Sequence, residues 1–249
     1  LDTSYNQGYN NTSSTKTSGT RSHLFADLDL NFGKDDNLKS DLNIKVQRTS
    51  NDTYFRVHDI NTSLVNSENT TLENEIKFSV TKPDMYLDIN ASIFEDLRVK
   101  QNSDRYEYIL PNILYGKTFF TEKFGTVDFK SNAFYSNYNT NKHKTFLTND
   151  VIWSPSSFIT KKGFVNTFNG MIRNTNYEAK NTEEYRNEST VNELQGVLSY
   201  KASLPMKKNE TNYSKIFAPN FMLRYAPGHT RDLSSKDVML NYSNIYALN

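Results

Sequence analysis

Apolar and polar residues alternate along most of this chain, from about residue 22 onwards. In the segment SHLFADLDLNF, Leu24, Leu28 and Leu30 fall on one side of an extended backbone, and Asp27 and Asp29 fall on the other. Successive side chains of a β-strand point to opposite faces, so this alternation predicts strands with one apolar and one polar face. The pattern recurs about a dozen times, in segments such as NLKSDLNIKVQ, TLENEIKFSV and MYLDINASI.

The predicted strands are long, and helical periodicity is absent. Each covers about 9–14 residues between polar turns such as GKDDN and TKPD, whereas strands of globular sheets average about 5–6 residues. About 10 alternating residues cross a bilayer as a tilted strand. Aromatic residues near predicted strand ends would fit interfacial girdles: Phe119, Phe120, Phe124, Tyr135, Tyr138, Tyr242 and Tyr246. The pattern therefore predicts an all-β fold, an antiparallel transmembrane β-barrel to which this chain contributes about twelve strands.

The composition agrees with this prediction. Hydrophobic residues make up 36% of the chain and the mean hydropathy is −0.73. Both values are low for a soluble globular protein that must bury an apolar core. Aromatic residues at 13% argue against a disordered chain. The net charge of +1 gives no electrostatic reason to expect nucleic acid. The absence of cysteine excludes disulfides within the chain. The sequence contains no run of 18 apolar residues, so it predicts no transmembrane helix.

Two segments are expected outside the strands. Residues 1–21 are rich in Asn, Ser, Thr and Gly without periodicity, which predicts a polar loop, followed by a partial outer-membrane barrel domain over residues 22–249. We expect the segments 1–21 and 174–189 to be extracellular, because outer-membrane barrels keep their periplasmic turns short. The final residues NYSNIYALN stop within a strand-like pattern, so we expect the chain to be a fragment of a longer barrel.

Motifs for catalysis or for metal binding are absent from the sequence. The histidines have no ligand spacing around them and are expected to stand alone on wet surfaces: His23, His58, His143 and His229. No nucleophile elbow, P-loop or dinucleotide fingerprint occurs. We therefore predict no enzyme activity, no metal and no cofactor.

The polar face of the strands is the candidate functional surface. It carries charges of both signs, and in a barrel it would line the lumen. Two interpretations stay open, a face that is simply hydrated and a conduit for polar or amphipathic cargo. The candidate lumen-facing residues are Asp27, Asp29, Lys39, Asp41, Lys45, Glu73, Glu75, Lys77, Asp128 and Lys130.

Two proline-containing segments resemble each other, YILPNILY at 108–115 and IFAPNFMLRY at 216–225. Proline has no N–H for a β-ladder, so in sheets it is confined to edges, strand starts and bulges. We expect Pro111 and Pro219 each to lie where one inter-strand hydrogen bond is missing.

These segments also carry a family resemblance. Residues 105–140 and 203–232, with NDTYFRVHDI upstream and NYSNIYALN at the end, resemble the barrel domain of the LptD family, which assembles lipopolysaccharide in Gram-negative outer membranes. The resemblance covers residues 22–249 and makes Pro111 and Pro219 the family-motif prolines. It is a pattern of strands and prolines without a catalytic-style signature.

The resemblance implies a function and a set of partners. The sugar part of lipopolysaccharide would pass through the lumen, and the lipid part would leave sideways into the outer leaflet. The implied partners are lipopolysaccharide, outer-membrane lipid, an LptE-like lipoprotein plug and the periplasmic Lpt bridge. Two alternatives remain: a porin or TonB-dependent receptor-type barrel for solute uptake, and a soluble secreted β-rich adhesin or structural module.

Overall fold

The computed structural model describes residues 1–10, 17–33, 37–98, 103–182, 190–211 and 213–227. These residues form long strands and one short helix, as the alternating pattern predicts for the strands. The elements are β1 Asp2–Asn10, β2 Thr17–Asn31, β3 Lys39–Thr49, α1 Tyr54–His58, β4 Thr71–Lys82, β5 Met85–Asp96, β6 Tyr106–Thr121, β7 Gly125–Tyr138, β8 His143–Ser154, β9 Phe158–Ile159, β10 Val165–Lys180, β11 Val191–Ser203, β12 Met206–Asn209, β13 Ser214–Phe217 and β14 Asn220–Tyr225.

Twelve of these strands form one sheet whose order follows the chain. The order runs from β1 to β8 and then through β10, β11 and β14, while β9 pairs with β10 at one side. The strands β12 and β13 form a separate two-stranded sheet. The prediction of an all-β antiparallel fold is confirmed. Among the described strands the order begins at β1 and ends at β14 without a pairing between those two, so the sheet is open there.

The chain divides into two compact units. The first contains Leu1–Gly116, Ser131–Leu147 and Asn176–Val191, and the second contains Lys117–Lys130, Thr148–Thr175 and Asn192–Asn249. No helix in the described ranges is long and apolar enough to cross a membrane.

The register of β2 to β5 keeps apolar residues opposite apolar residues. Leu28 lies opposite Ile44, Ile44 opposite Ile76, and Ile76 opposite Ala91. Directly opposed residues of antiparallel strands share a face, so these four side chains form one apolar row. Leu28 is 47% exposed and Ile76 is 55% exposed, so the described residues leave much of this apolar row uncovered.

The N-terminal segment differs from the prediction of a polar loop over residues 1–21. β1 pairs with β2 in an unbroken register from Asp2 opposite Phe25 to Asn10 opposite Thr17. Backbone hydrogen bonds to β2 hold this segment. A polar strand that is held by backbone pairing shows no alternation of apolar and polar residues, so hydropathy does not predict it. Threonine and tyrosine, which favour strands, are the local signal for it.

Prolines interrupt the last hairpin of the sheet without changing its register. β11 pairs with β14 as far as Ser203 opposite Asn220, and β12 pairs with β13 from Met206 opposite Phe217. Between them Leu204 N–H donates to Pro219 O at 3.0 Å, and Pro219 has no N–H for a return bond. Pro219 therefore lies just before β14, whereas Pro111 lies inside β6.

Candidate functional site

The polar face of β2 to β4 brings together charged residues from three strands. Asp27 lies opposite Lys45, which in turn lies opposite Glu75. One pleat further along, Asp29 lies opposite Asn43, which lies opposite Lys77. The register and the alternation along each strand therefore place eight of the predicted residues on one side of the first unit: Asp27, Asp29, Lys39, Asp41, Lys45, Glu73, Glu75 and Lys77.

Asparagine amides link the carboxylates of this face. Asn43 Nδ2 donates to Asp27 Oδ1 at 2.9 Å and to Asp29 Oδ1 at 2.6 Å. Asn90 Nδ2 donates to Glu75 Oε1 at 2.9 Å. A prediction from charge alone does not include these amides, although they occupy alternate positions in the same strands. The result is a hydrogen-bonded polar surface that can exchange bonds with water or with sugar hydroxyls.

The predicted residues differ in their surroundings. Lys45 Nζ forms an ion pair with Glu73 Oε2, and both side chains are partly exposed. Lys39 is exposed at the start of β3. Asp128 and Lys130 lie on β7 in the second unit, where Thr118 Oγ1 donates to Asp128 Oδ1 at 2.6 Å. In the described part of the chain no group of three or more His, Cys, Asp or Glu could hold a metal ion.

A connecting loop of the first unit, residues 50–70, contains α1 and packs against strands of the same unit. Phe55 of α1 stacks on Phe25 of β2, with ring centroids 5.5 Å apart. Phe25 falls on the same side of β2 as Asp27 because the two are two positions apart. We call this cluster the loop core: Phe25, Phe55, Val65, Leu72 and Leu97, with Ile60 and Leu64 packed against it.

A second set of contacts holds α1 to β1 and β2. His23 Nδ1 is hydrogen-bonded to Tyr54 OH at 3.1 Å and to Ser4 Oγ at 3.0 Å. His23 Nε2 lies 3.2 Å from Asp2 Oδ1. The expectation that the histidines stand alone is therefore wrong for His23, because two of its partners lie on β1, which was predicted to be a loop.

An ion-pair network joins the same loop to the connection between β5 and β6. Buried Arg105 pairs with Asp52 of the loop and with Glu95 of β5, and Tyr106 OH donates to Glu95 Oε1 at 2.8 Å. Hydrogen bonding to the carboxylate of Asp52, followed by that of Glu95, raises the pKa of the Arg105 guanidinium. The loop is therefore fixed to the sheet by an apolar core, by His23 and by a buried cation.

Successive connections of an antiparallel meander fall at alternate ends of its strands. The connections after β3, β5, β7 and β10 share what we call the loop end, where residues 50–70 lie. Within the second unit, the connections after β6, β8 and β11 share what we call the turn end, where the first is only 122–124. Of the predicted segment 174–189, residues 174–180 belong to β10 instead of a loop.

The LptD family model, described as LPS transport system D, matches residues 19–249. No curated protein matches the chain. The matched region contains the long antiparallel strands, the charged polar face and both proline segments that carried the resemblance in the sequence. The match spans nearly the whole chain, and the chain therefore belongs to the LptD family.

Proposed function

We propose that this chain forms part of an outer-membrane β-barrel that moves lipopolysaccharide through its lumen and inserts it into the outer leaflet. The family is one of lipopolysaccharide transport and assembly in Gram-negative outer membranes. One observation carries the proposal, namely the in-register rows that keep one face of β2 to β5 apolar and exposed and the other face polar and hydrogen-bonded.

Physical chemistry connects this sheet with the transport of an amphipathic cargo. Within a bilayer every backbone N–H and C=O must be paired, which a closed antiparallel barrel achieves. The apolar rows would then face lipid, and the charged rows would line a hydrated lumen that accepts the sugar portion. A lipoprotein plug of the LptE kind and the periplasmic Lpt bridge are the further partners that the family resemblance implies for this function.

Cysteine labelling tests which face meets lipid, and the native chain provides a background without cysteine. Ile76 and Lys77 are neighbours on β4 with opposite side-chain directions. We expect a membrane-impermeant maleimide to modify Lys77→Cys at least about tenfold faster than Ile76→Cys in the reconstituted protein, because hydrocarbon excludes the reagent. Leu28→Cys and Asp29→Cys repeat the comparison on β2. Equal rates for both pairs would reject the assignment of the faces.

Depletion of the protein in the cell tests the cargo. We expect lipopolysaccharide to disappear from the cell surface and to accumulate on the periplasmic side, as measured by accessibility to a surface-applied probe and by fractionation. Uptake of small solutes through other barrels serves as the control and should not fall first. If depletion reduced only solute uptake and left surface lipopolysaccharide unchanged, a porin-type function would replace the proposed one.

A further inference from the structure

Two connections at the turn end of the second unit are basic. The segment 155–164 contains Lys161 and Lys162 without any acidic residue, and the hairpin segment 204–219 contains three lysines against one acid, Glu210. The two segments are adjacent, since a Cβ atom placed on the backbone of Gly163 would lie 3.6 Å from Leu204 Cδ1. We call their five exposed lysines the basic end surface: Lys161, Lys162, Lys207, Lys208 and Lys215.

Exposed apolar side chains accompany these lysines. Phe158 and Ile159 precede the first pair of lysines, and Ile216 and Phe217 follow Lys215. Lysine amines on long apolar stems beside exposed aromatic rings are typical of protein surfaces at a membrane interface. A surface intended only for water would carry the charges without the apolar groups.

The two segments that carry the basic end surface come directly after strands with exposed apolar side chains. Trp153 lies at the end of β8, and Ile172 and Leu198 lie further along β10 and β11. Trp153 Nε1–H donates to the backbone oxygen of Phe124 at 2.9 Å, so the indole is fixed beside the turn 122–124. If these strands cross a bilayer, the lysines beyond them lie at the depth of the lipid headgroups.

From this charge and position we infer that the basic end surface binds the headgroups of anionic phospholipids. Glu210 neutralises part of the charge, since its Oε1 lies 2.7 Å from Lys208 Nζ, and Lys215 lies over the ring of Tyr213. Four of the five positive charges therefore remain uncompensated by acids of these two segments. The inference rests on the proposed membrane placement. It adds which end of the strands contacts the headgroups and which class of lipid is bound there.

Quenching of Trp153 by brominated lipids measures both properties in one experiment. The protein is reconstituted in vesicles that contain brominated phosphatidylglycerol or brominated phosphatidylcholine, and Trp153→Phe gives the signal that does not arise from Trp153. Each lysine near an anionic surface strengthens binding by about fivefold, so we expect a preference for phosphatidylglycerol of at least about fivefold. High salt should reduce that preference.

Variants assign the preference to the lysines. Replacing all five lysines by glutamine should bring the preference close to one, whereas replacing them by arginine should retain it. Lys142, Lys144 and Lys180, near the other ends of β8 and β10, provide a control set for replacement by glutamine that should leave the preference unchanged. Far-UV circular dichroism checks that each variant retains its strands.

The outcomes separate the lipid preference from the membrane placement. Quenching that is equal for the two lipids, or a preference that survives in the glutamine variant, would overturn the inference and leave the membrane placement standing. The first of these results is also expected if the lysines bind an acidic protein instead of lipid. If neither lipid quenches Trp153, the membrane placement fails and the inference fails with it.

Discussion

Replacing Phe55 with alanine is expected to release the loop 50–70 from the sheet while the strands remain folded. Phe55 is 1% exposed and stacks on Phe25, so its truncation leaves a cavity in the loop core that the neighbouring backbone can fill only in part. Truncation of a buried phenylalanine costs about 3–5 kcal/mol. Because this core holds the loop, we expect the free energy of local opening to fall by about that amount.

Limited proteolysis measures this opening directly. Trypsin cleaves after Arg56, which lies in α1 and becomes a substrate when the loop opens. A loss of about 3 kcal/mol corresponds to roughly 150-fold faster cleavage if opening and closing are fast relative to cleavage. Each rate is divided by the rate for the same chain in urea, so that changes in trypsin specificity cancel.

Val57→Ala is the matched control for this prediction. Val57 lies in the same short helix but is 48% exposed, and substitutions at such positions change stability by about 0.5 kcal/mol or less. Cleavage of Val57→Ala should therefore stay close to the native rate. If Phe55→Ala and Val57→Ala were cleaved equally slowly, the loop core would not be what holds the loop on the sheet.

The strands and their two faces follow from the sequence to a large extent. Leu28, Ile44 and Ile76 occupy alternate positions in three predicted strands, and they lie on one face in the observed register. A shift of one residue would move every charged side chain to the apolar side. A shift of two residues would keep both faces, so the alternation predicts the faces but neither the exact register nor the order of the strands.

The loop and its contacts do not follow from alternation. The helix α1 contains only five residues, too few to establish a helical period. A signal was nevertheless present in β2, where Phe25 shares the polar side with Asp27. An aromatic residue on an otherwise polar face indicates that another part of the chain covers it, and Tyr54 and Phe55 in the connection after β3 are the available partners.

The candidate site was likewise predictable only in part. The charged residues of the polar face could be selected from the sequence, but the bonds from Asn43 to Asp27 and Asp29 depend on the pairing of β2 with β3. The network around Arg105 joins three parts of the chain, because Asp52 lies in the loop 50–70, Glu95 on β5 and Arg105 between β5 and β6. Nothing in the spacing of Asp52, Glu95 and Arg105 along the chain indicates that they meet.

Replacing Arg105 with alanine is expected to destabilise the first unit by about 3 kcal/mol, the low end of the range for buried ion pairs, because it leaves the partly buried carboxylate of Glu95 without its cation. The Arg105 side chain is 5% exposed, and its two partners differ in exposure: Glu95 is 19% exposed and Asp52 is 42% exposed. Asp52 can recover hydration after the change, so most of the cost falls on Glu95. Urea unfolding of the protein in detergent micelles, followed by circular dichroism, measures the loss.

A double-mutant cycle separates the cost of the unpaired Glu95 charge from the cost of the lost packing of the arginine. Glu95→Gln removes the charge, so adding it to Arg105→Ala should restore part of the stability, whereas Glu95→Gln alone should be destabilising. Arg98→Ala is the control, since Arg98 also pairs with a carboxylate, that of Asp96, but at an exposed site where such pairs contribute about 1 kcal/mol or less. If Arg105→Ala cost no more than Arg98→Ala, burial would not strengthen this network, and the loop 50–70 would depend on its apolar core and on the contacts of His23.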